Sequence, residues 1–471
     1  MKSSLIESAP LLRIAVSLMA GIAVGYYMQS PVPLFPIFAG MLGLTLFLWK
    51  YEFLQSLTIG LSVFLLGELM MERQRQAEQS SSWPPYKIRY EAVVLSDPLE
   101  KPKTVAVDVL VMQNQRRLRC YIYKDVWSRR LRVGDGLQLQ SHIETNRYLA
   151  TTYVARHSWR KIQLSLEGLS LTKRTRFFFL KLRAQLLRRI QVSESDKEQY
   201  AVVAAMVLGD KSALTREVKD LYAVTGASHV LALSGLHLGI IYTLLTLILG
   251  RGRWRVPSQL LTILGIWAFV FLVGMSVRVV RSAVMISTYA LLSLGRRNRM
   301  SINVLAFAAV VILLFSPMSL FDVGFQLSFV AVFSSFTVQP LFDGIASPQT
   351  LIVRWCWAML TVSLAAQIGV APLLAYYFGR FSTYFLLTGF IVVPAATLIL
   401  YLSPIAIAWP SLAYLLLYIA GWLNRLLGFV ASLPGASIEG LHPTVLQVAM
   451  AYVIMAALCW LTGIIRRAGE S

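Results

Sequence analysis

A chain of 471 residues that is 56% hydrophobic and only 14% charged, with a mean hydropathy of +0.62, is not an ordinary soluble globule. Roughly ten stretches approach the twenty or so apolar residues that one bilayer-spanning helix needs, so the chain reads as an integral membrane protein with many spans. Its formal net charge of +21 is large for so apolar a sequence. Short cytoplasmic loops account for part of that excess, but much of it lies between Trp83 and Lys173, where topology makes no such demand. A polyanion such as DNA, anionic lipid headgroups, or a merely solvated basic surface all fit this balance.

Of the cysteines Cys120, Cys356 and Cys459, only Cys120 lies in that polar segment, which excludes a disulfide within it. No zinc-ligand spacing, Walker A loop or HExxH cluster is present, so neither a metal nor another cofactor is expected. The apolar run 11–28 is long for a secretory signal and lacks a small-residue cleavage site, so it reads as a first span.

In chain order, 11–28, 34–49 and 54–71 are predicted helices of an N-terminal membrane region, 1–79. The composition changes at Glu72-Arg73-Gln74-Arg75, and Ser80-Ser81-Ser82-Trp83-Pro84-Pro85 reads as a linker. The segment 80–168 turns to period two, with strand-like runs 90–95, 105–111, 118–123 and 133–139. Five or so short strands suit a small Greek-key barrel, an OB-like fold. Within it, Arg116, Arg117, Arg119, Lys124, Arg129, Arg130 and Arg132 interleave with Tyr121, Tyr123 and Trp127. A groove for single-stranded nucleic acid uses this mixture; a β-domain with core aromatics and solvated arginines gives the same pattern.

The segment 169–225 holds a basic amphipathic helix, 173–191, suited to a membrane surface, then short helices around the turn Gly209-Asp210-Lys211-Ser212. A multi-span region, 226–471, follows, with apolar segments beginning at 229–249. If the amino terminus is cytoplasmic and every segment spans, the β-domain lies outside. The basic clusters at 251–253, 295–299 and 466–467 then all fall inside, as the positive-inside rule requires. The fold class expected is a polytopic α-helical membrane protein with an inserted small β-barrel (OB-like) extracytoplasmic domain.

Polar side chains inside spans are costly and mark functional positions by default. His229, Ser234 and His237 form the first group, and Ser234 and His237 stand three apart on one helical face. That spacing suits a nucleophile and base, although no third orienting carboxylate is present, or a pair lining a route. With Gly235 and Gly239 it also suits close helix packing. Arg278 and Arg281, beside Ser282, either snorkel to headgroups or draw phosphates into a passage. Asp322 and Gln326 sit one turn apart, and Asp322 suits a helix cap. Gln367, ahead of Pro372, is placed to satisfy carbonyls freed by a kink. Gly389, Pro394 and Pro404 make 384–407 read as a discontinuous helix lining a cavity.

Gly209-Asp210-Lys211-Ser212-Ala213-Leu214 and Thr225-Gly226-Ala227-Ser228-His229-Val230-Leu231-Ala232-Leu233-Ser234-Gly235-Leu236-His237-Leu238-Gly239 closely resemble the signature of the ComEC-type competence proteins. Further matches lie at 278–282, at Asp322-Val323-Gly324-Phe325-Gln326-Leu327-Ser328-Phe329, and over 378–394. The likeness runs in consistent order from about Leu187 onward. The leading helices and β-segment match that family by position only. The resemblance implies an inner-membrane channel that imports single-stranded DNA during natural transformation, multi-pass, with both termini cytoplasmic. The strand would meet the external OB-like domain and then pass between helices. His229, Ser234, His237, Arg278, Arg281, Asp322 and Gln326 become candidates for the passage or its scaffold.

Implied partners are single-stranded DNA, membrane lipids, and separate DNA-receptor, ATPase and nuclease proteins. Many relatives end in a metallo-β-lactamase-like domain, whereas this chain stops at Ser471 without one, so no enzymatic activity is expected of it. Relatives often carry Asn where Gly389 stands. Two other readings fit the residues: a transporter or flippase for an anionic lipid or polysaccharide, and an intramembrane hydrolase using Ser234 and His237.

Overall fold

Three helices lead the chain: α1 (Pro10–Tyr27), α2 (Leu34–Phe47) and α3 (Glu52–Gln79). α1 and α3 meet backbone to backbone, because Gly21 and Gly67 carry no side chain; a Cβ at Gly67 would stand 2.7 Å from the Leu18 carbonyl oxygen. α3 continues through the charged run Glu72–Arg75, where a boundary was expected. Glu, Arg and Gln are good helix formers, so polarity ends the apolar stretch without ending the helix. The structure is a computed structural model that describes residues 10–28, 34–79, 83–84, 86–96, 98–146, 149–164, 170–190, 196–250, 255–294, 302–346 and 348–469.

The β-domain comprises β1 (Ile88–Val94), β2 (Leu99–Glu100), β3 (Thr104–Val111), β4 (Arg117–Tyr123), β5 (Gly136–Ser141), β6 (Ile143–Asn146), β7 (Leu149–Val154) and β8 (Trp159–Ile162). Hydrogen bonding orders them β6-β7-β4-β3-β1-β5-β8, with β2 on β3. Alternating aliphatics, among them Val105, Val107, Val109, Leu118, Cys120 and Ile122, fill the core. Only His142 separates β5 from β6, yet these strands lie near opposite ends of the path. The sheet must therefore curl until its ends approach. Among the described residues no pairing joins β6 to β8, so the sheet is open and curled and the expected small barrel is not shown.

The rest is helical: α4 (Leu171–Ile190), α5 (Lys197–Leu208), α6 (Arg216–Val224), α7 (Ser228–Leu231), α8 (Gly235–Leu249), α9 (Arg255–Leu272), α10 (Val277–Leu294) and α11 (Ile302–Phe315). After a 3₁₀ turn at Pro317–Phe321 come α12 (Val323–Thr337), α13 (Gln339–Asp343), α14 (Leu351–Phe378), α15 (Phe385–Ala408), α16 (Ala413–Ser432) and α17 (Val445–Gly469). A small hairpin-like pairing joins β9 (Arg380–Ser382) to β10 (Ser437–Glu439). α5 is the centre of the largest core: every residue from Ala201 to Leu208 is buried, against Val392, Ala396 and Ile399 of α15 and Leu416, Ala420, Leu423 and Leu427 of α16. A helix apolar on all sides belongs in such a position.

Among the described residues eight helices are long and apolar enough to cross a membrane, and the protein is a multi-pass membrane protein. The count falls short of the apolar segments read from sequence. α2, α8 and α11 are shorter helices. The basic clusters at 251–253 and 295–299 lie outside the described residues.

The helix breaks fall elsewhere than the sequence suggests. α15 runs unbroken through Pro394 and Pro404, since an interior proline deletes one hydrogen bond and kinks a helix without necessarily ending it. The segment 229–249, read as one helix, is instead cut: α7 lasts one turn, and Ala232 (φ −103°, ψ 120°) and Ser234 (φ −126°, ψ 177°) are extended before α8 begins.

Candidate functional site

The cut is built from the glycine- and serine-rich signature. α5 ends at Gly209, whose φ of +71° is the left-handed cap that glycine adopts without strain. The turn is closed by the Gly209 N–H on the Ala205 carbonyl and the Asp210 N–H on the Ala204 carbonyl, each at 3.1 Å. A Cβ at Gly209 would lie 2.5 Å from Leu233 Cδ1, so the extended Leu233 rests directly on this cap. Asp210 accepts from the Ser212 N–H at 3.1 Å and faces Arg183 of α4 at 3.4 Å. Thr215 caps α6 by accepting from the Val218 N–H at 3.3 Å.

Ser234 is the N-cap of α8, and His237 takes the position where a capping box usually has Glu or Gln. Its Nδ1 lies 3.4 Å from the Ser234 backbone nitrogen and 3.1 Å from Ser234 Oγ. His237 is fully buried and its Nε2 has no hydrogen-bond partner among the described residues. Among the described residues no carboxylate reaches the imidazole, and the geometry of the pair is that of a helix start. His229, in α7, keeps accessible surface and places Nδ1 3.0 Å from the Gly226 carbonyl.

Gly235 sets this helix start against α10, where a Cβ would be 3.4 Å from Ser282 Oγ. The two arginines of α10 part company. Arg281 is buried, and its Nη1 donates to Asp322 Oδ1 at 3.0 Å while its guanidinium sits 5.8 Å from the Phe325 ring centre. Asp322 also caps α12, accepting from the Phe325 N–H at 2.8 Å. Gly324 makes room for both guanidiniums, since a Cβ there would be 3.0 Å from Arg278 Nε and 3.3 Å from Arg281 Nη2. Arg278 itself is exposed. Gln326 donates to the Leu320 carbonyl at 3.0 Å and accepts from the Tyr377 hydroxyl at 2.7 Å.

The α9–α10 hairpin turns at Gly274 (φ +85°) and Met275 (φ +56°), and Arg176 of α4 donates to the Gly274 carbonyl at 2.6 Å. Lys211 stands in the same neighbourhood: burial first, then the charges of Arg278 and Lys219, hold its ammonium below the usual lysine value. Neither Lys211 nor Arg278 has a carboxylate partner among the described residues. Two cations that act on each other in one neighbourhood favour a bound anion there.

Gln367 is half-buried and makes no hydrogen bond among the described residues. Near Pro372, the Tyr452 hydroxyl donates to the Gly369 carbonyl at 3.0 Å and Ser334 Oγ to that of Ala365 at 2.6 Å. A Cβ at Gly389 would meet nothing within 4 Å.

In the β-domain, the odd-numbered positions of β4 face outward. Arg119 is bound to Asp108 at 2.7 and 3.0 Å, and Lys124 to Glu100 at 3.1 Å, which holds the Glu100 carboxyl below its ordinary value. Arg129 is 3.9 Å from Glu100, Arg117 is exposed, and the Arg116 N–H meets Asn114 Oδ1 at 3.1 Å. The aromatics are not core: Tyr121 stacks on Tyr153 at 5.0 Å with Lys101 4.6 Å above it, and Tyr123 and Trp127 are exposed. Arg130 stands 6.0 Å from the Trp127 ring centre. The partners that complete these surfaces, Tyr153, Trp159, Arg156 and Arg160, are not marked by spacing in the sequence, because the fold brings them there.

Residues 206–464 match the family model described as Competence protein. ComE operon protein 3 of Bacillus subtilis (strain 168) is 30% identical over 315 residues, covering 63% of this chain but only 38% of that protein. An uncharacterized protein of Aquifex aeolicus (strain VF5) is 28% identical over 329 residues, 68% of this chain and 72% of that protein. Uncharacterized protein YcaI of Escherichia coli (strain K12) is 28% identical over 159 residues, 32% of this chain and 21% of that protein. No solved structure matches significantly. With more than half its length covered by the family model, the chain belongs to the competence protein family.

Proposed function

We propose that this protein forms an inner-membrane channel through which single-stranded DNA enters the cytoplasm during natural transformation. The observation that carries this reading is a pair of neighbouring cations near the broken helix. There Lys211 and Arg278, without carboxylate partners among the described residues, stand beside the buried Arg281–Asp322 pair and the Gly209–Ser234 turn. Cations at the end of a low-dielectric passage concentrate phosphates. Family membership and the multi-pass architecture support the same reading.

With the amino terminus cytoplasmic, α1–α3 deliver the β-domain to the outer surface, where the curled sheet works as an OB-like receiver and its outward aromatics and cations engage bases and phosphates. A separate receptor hands over the strand, a separate ATPase drives it, and a separate nuclease removes its complement. In the channel, Ser234 and His237 serve as a helix start.

Reconstitution tests this. Liposomes carrying the protein, with a single-strand-binding protein trapped inside, should protect a labelled oligonucleotide from external nuclease. Lys211→Gln with Arg278→Gln should lower that protection about tenfold, as expected for the loss of two phosphate contacts. Protection equal to that of protein-free liposomes, with transfer of a labelled anionic lipid instead, would replace this reading with a lipid transporter.

A further inference from the structure

A second cationic surface lies where the β-domain meets α4. A cleft of about 1180 Å³ is lined by Trp127, Arg130, Arg132, Arg156 and Arg160 of the β-domain and by Arg188 of α4. Its carboxylates are already engaged. Asp125 accepts from the Ser128 N–H at 2.5 Å and from Trp159 Nε1 at 3.1 Å. Asp135 pairs with Lys161 at 2.7 Å and accepts from the Arg132 N–H at 2.9 Å. Arg160 is bonded to the neutral Gln138 at 2.6 Å, and Arg130, Arg132, Arg156 and Arg188 have no carboxylate partner among the described residues. The net positive charge is therefore uncompensated.

α4 contributes Arg188 to this cleft, and the same helix touches the β-domain at its other end. Lys173 Nζ donates to the Gln115 carbonyl at 3.2 Å and to its Oε1 at 2.7 Å, and Phe177 packs against Gly134. The same helix also touches the Gly209–Ser212 turn and the α9–α10 hairpin, where Arg183 faces Asp210 and Arg176 donates to the Gly274 carbonyl. Arg188 and Arg183 are five residues apart, about 7.5 Å along the helix axis.

We infer that this cleft is the track for the single strand between the β-domain and the channel, with α4 handing it from Arg188 to the Gly209–Ser212 turn. The inference rests on the reading proposed above and adds a route that bypasses the Tyr121–Tyr153 face. The chemistry favours a polynucleotide over a lipid. Apart from Leu131 the apolar lining is tryptophan, so acyl chains have no seat. Trp127, 67% exposed beside Arg130, offers a stacking platform among cations.

The test uses the full chain in zwitterionic nanodiscs and the anisotropy of labelled oligothymidylate across a salt series. Arg156→Gln, Arg160→Gln and Arg188→Gln together should weaken binding at least tenfold at about 0.15 M salt and lower the log–log salt slope by about 2. The matching Arg→Lys triple should keep the slope, Trp127→Ala should weaken binding about fivefold or more, and Tyr121→Ala with Tyr153→Ala should leave the slope alone. Should the Gln triple misfold, Arg188→Gln alone is read, with about a third of the slope change. Unchanged affinity and slope in the Gln variants would overturn the track while leaving the channel reading intact. So would a loss confined to phosphatidylglycerol binding. A wild-type protein that binds no oligonucleotide would overturn both.

Discussion

At the scale of single residues, Asp322 carries two duties with one oxygen: it caps α12 and neutralises the buried Arg281. The capping role is legible in the sequence, because an aspartate precedes an apolar helical run. The ion pair is not, because its partner lies 41 positions away on another helix. Removing one member of a buried pair strands the other charge, so Asp322→Ala should cost about 3 kcal/mol, the low end of the usual range because Asp322 is half exposed. Thermal unfolding in detergent reads this, and the double change Asp322→Asn with Arg281→Met should be milder. In the β-domain, burial pushes the Cys120 thiol up to about 12. The unfolded thiol titrates near about 8.5, so above that pH the unfolded chain sheds a proton that the folded chain keeps. Stability therefore falls as pH rises from about 8.5 to 12. Cys120→Ala should flatten part of that fall in melts taken at pH 7 and 10; the buried Tyr90, raised in the same direction, adds to the fall above about pH 10.

At the scale of elements, the decisive feature is the interruption between α7 and α8. Sequence periodicity reads 229–249 as one helix because its residues are nearly all apolar, and it assigns the break to Pro394 because proline is the recognised interrupter. The structure reverses both. A kinked helix tolerates a proline whose neighbours are packed, whereas Leu233 is held extended against the Gly209 cap. Gly209→Ala should cost about 1–2 kcal/mol from the left-handed backbone alone, and more from the contact with Leu233, measurable as a lower melting temperature. Ser234→Ala should cost about 1 kcal/mol as a lost helix start and leave DNA uptake within a few-fold of wild type. A loss of a hundredfold or more at unchanged stability would instead identify Ser234 as a nucleophile.

At the scale of the molecule, composition was enough to place the chain in a membrane, and alternation was enough to place a β-domain between its third and fourth helices. What the sequence concealed is how these parts meet. Arg188 and Arg156 look like two surface cations until the fold sets them in one cleft, and Lys211 and Arg278 look unrelated until α10 is packed beside the α5–α6 turn. If the β-domain faces outward, Tyr153→Cys should react with a membrane-impermeant maleimide in intact spheroplasts, while native Cys120, buried in the sheet, stays unlabelled.

The most direct test of the channel follows labelled DNA into the cytoplasm of a naturally transformable host. The strains compared carry the gene intact, deleted, or with Lys211 and Arg278 both changed to Gln. Deletion should abolish internalisation and transformants while DNA still binds the cell surface, and the double change should reduce both yields about tenfold at normal protein levels. Internalisation and transformant yield unaffected by deletion would contradict the account.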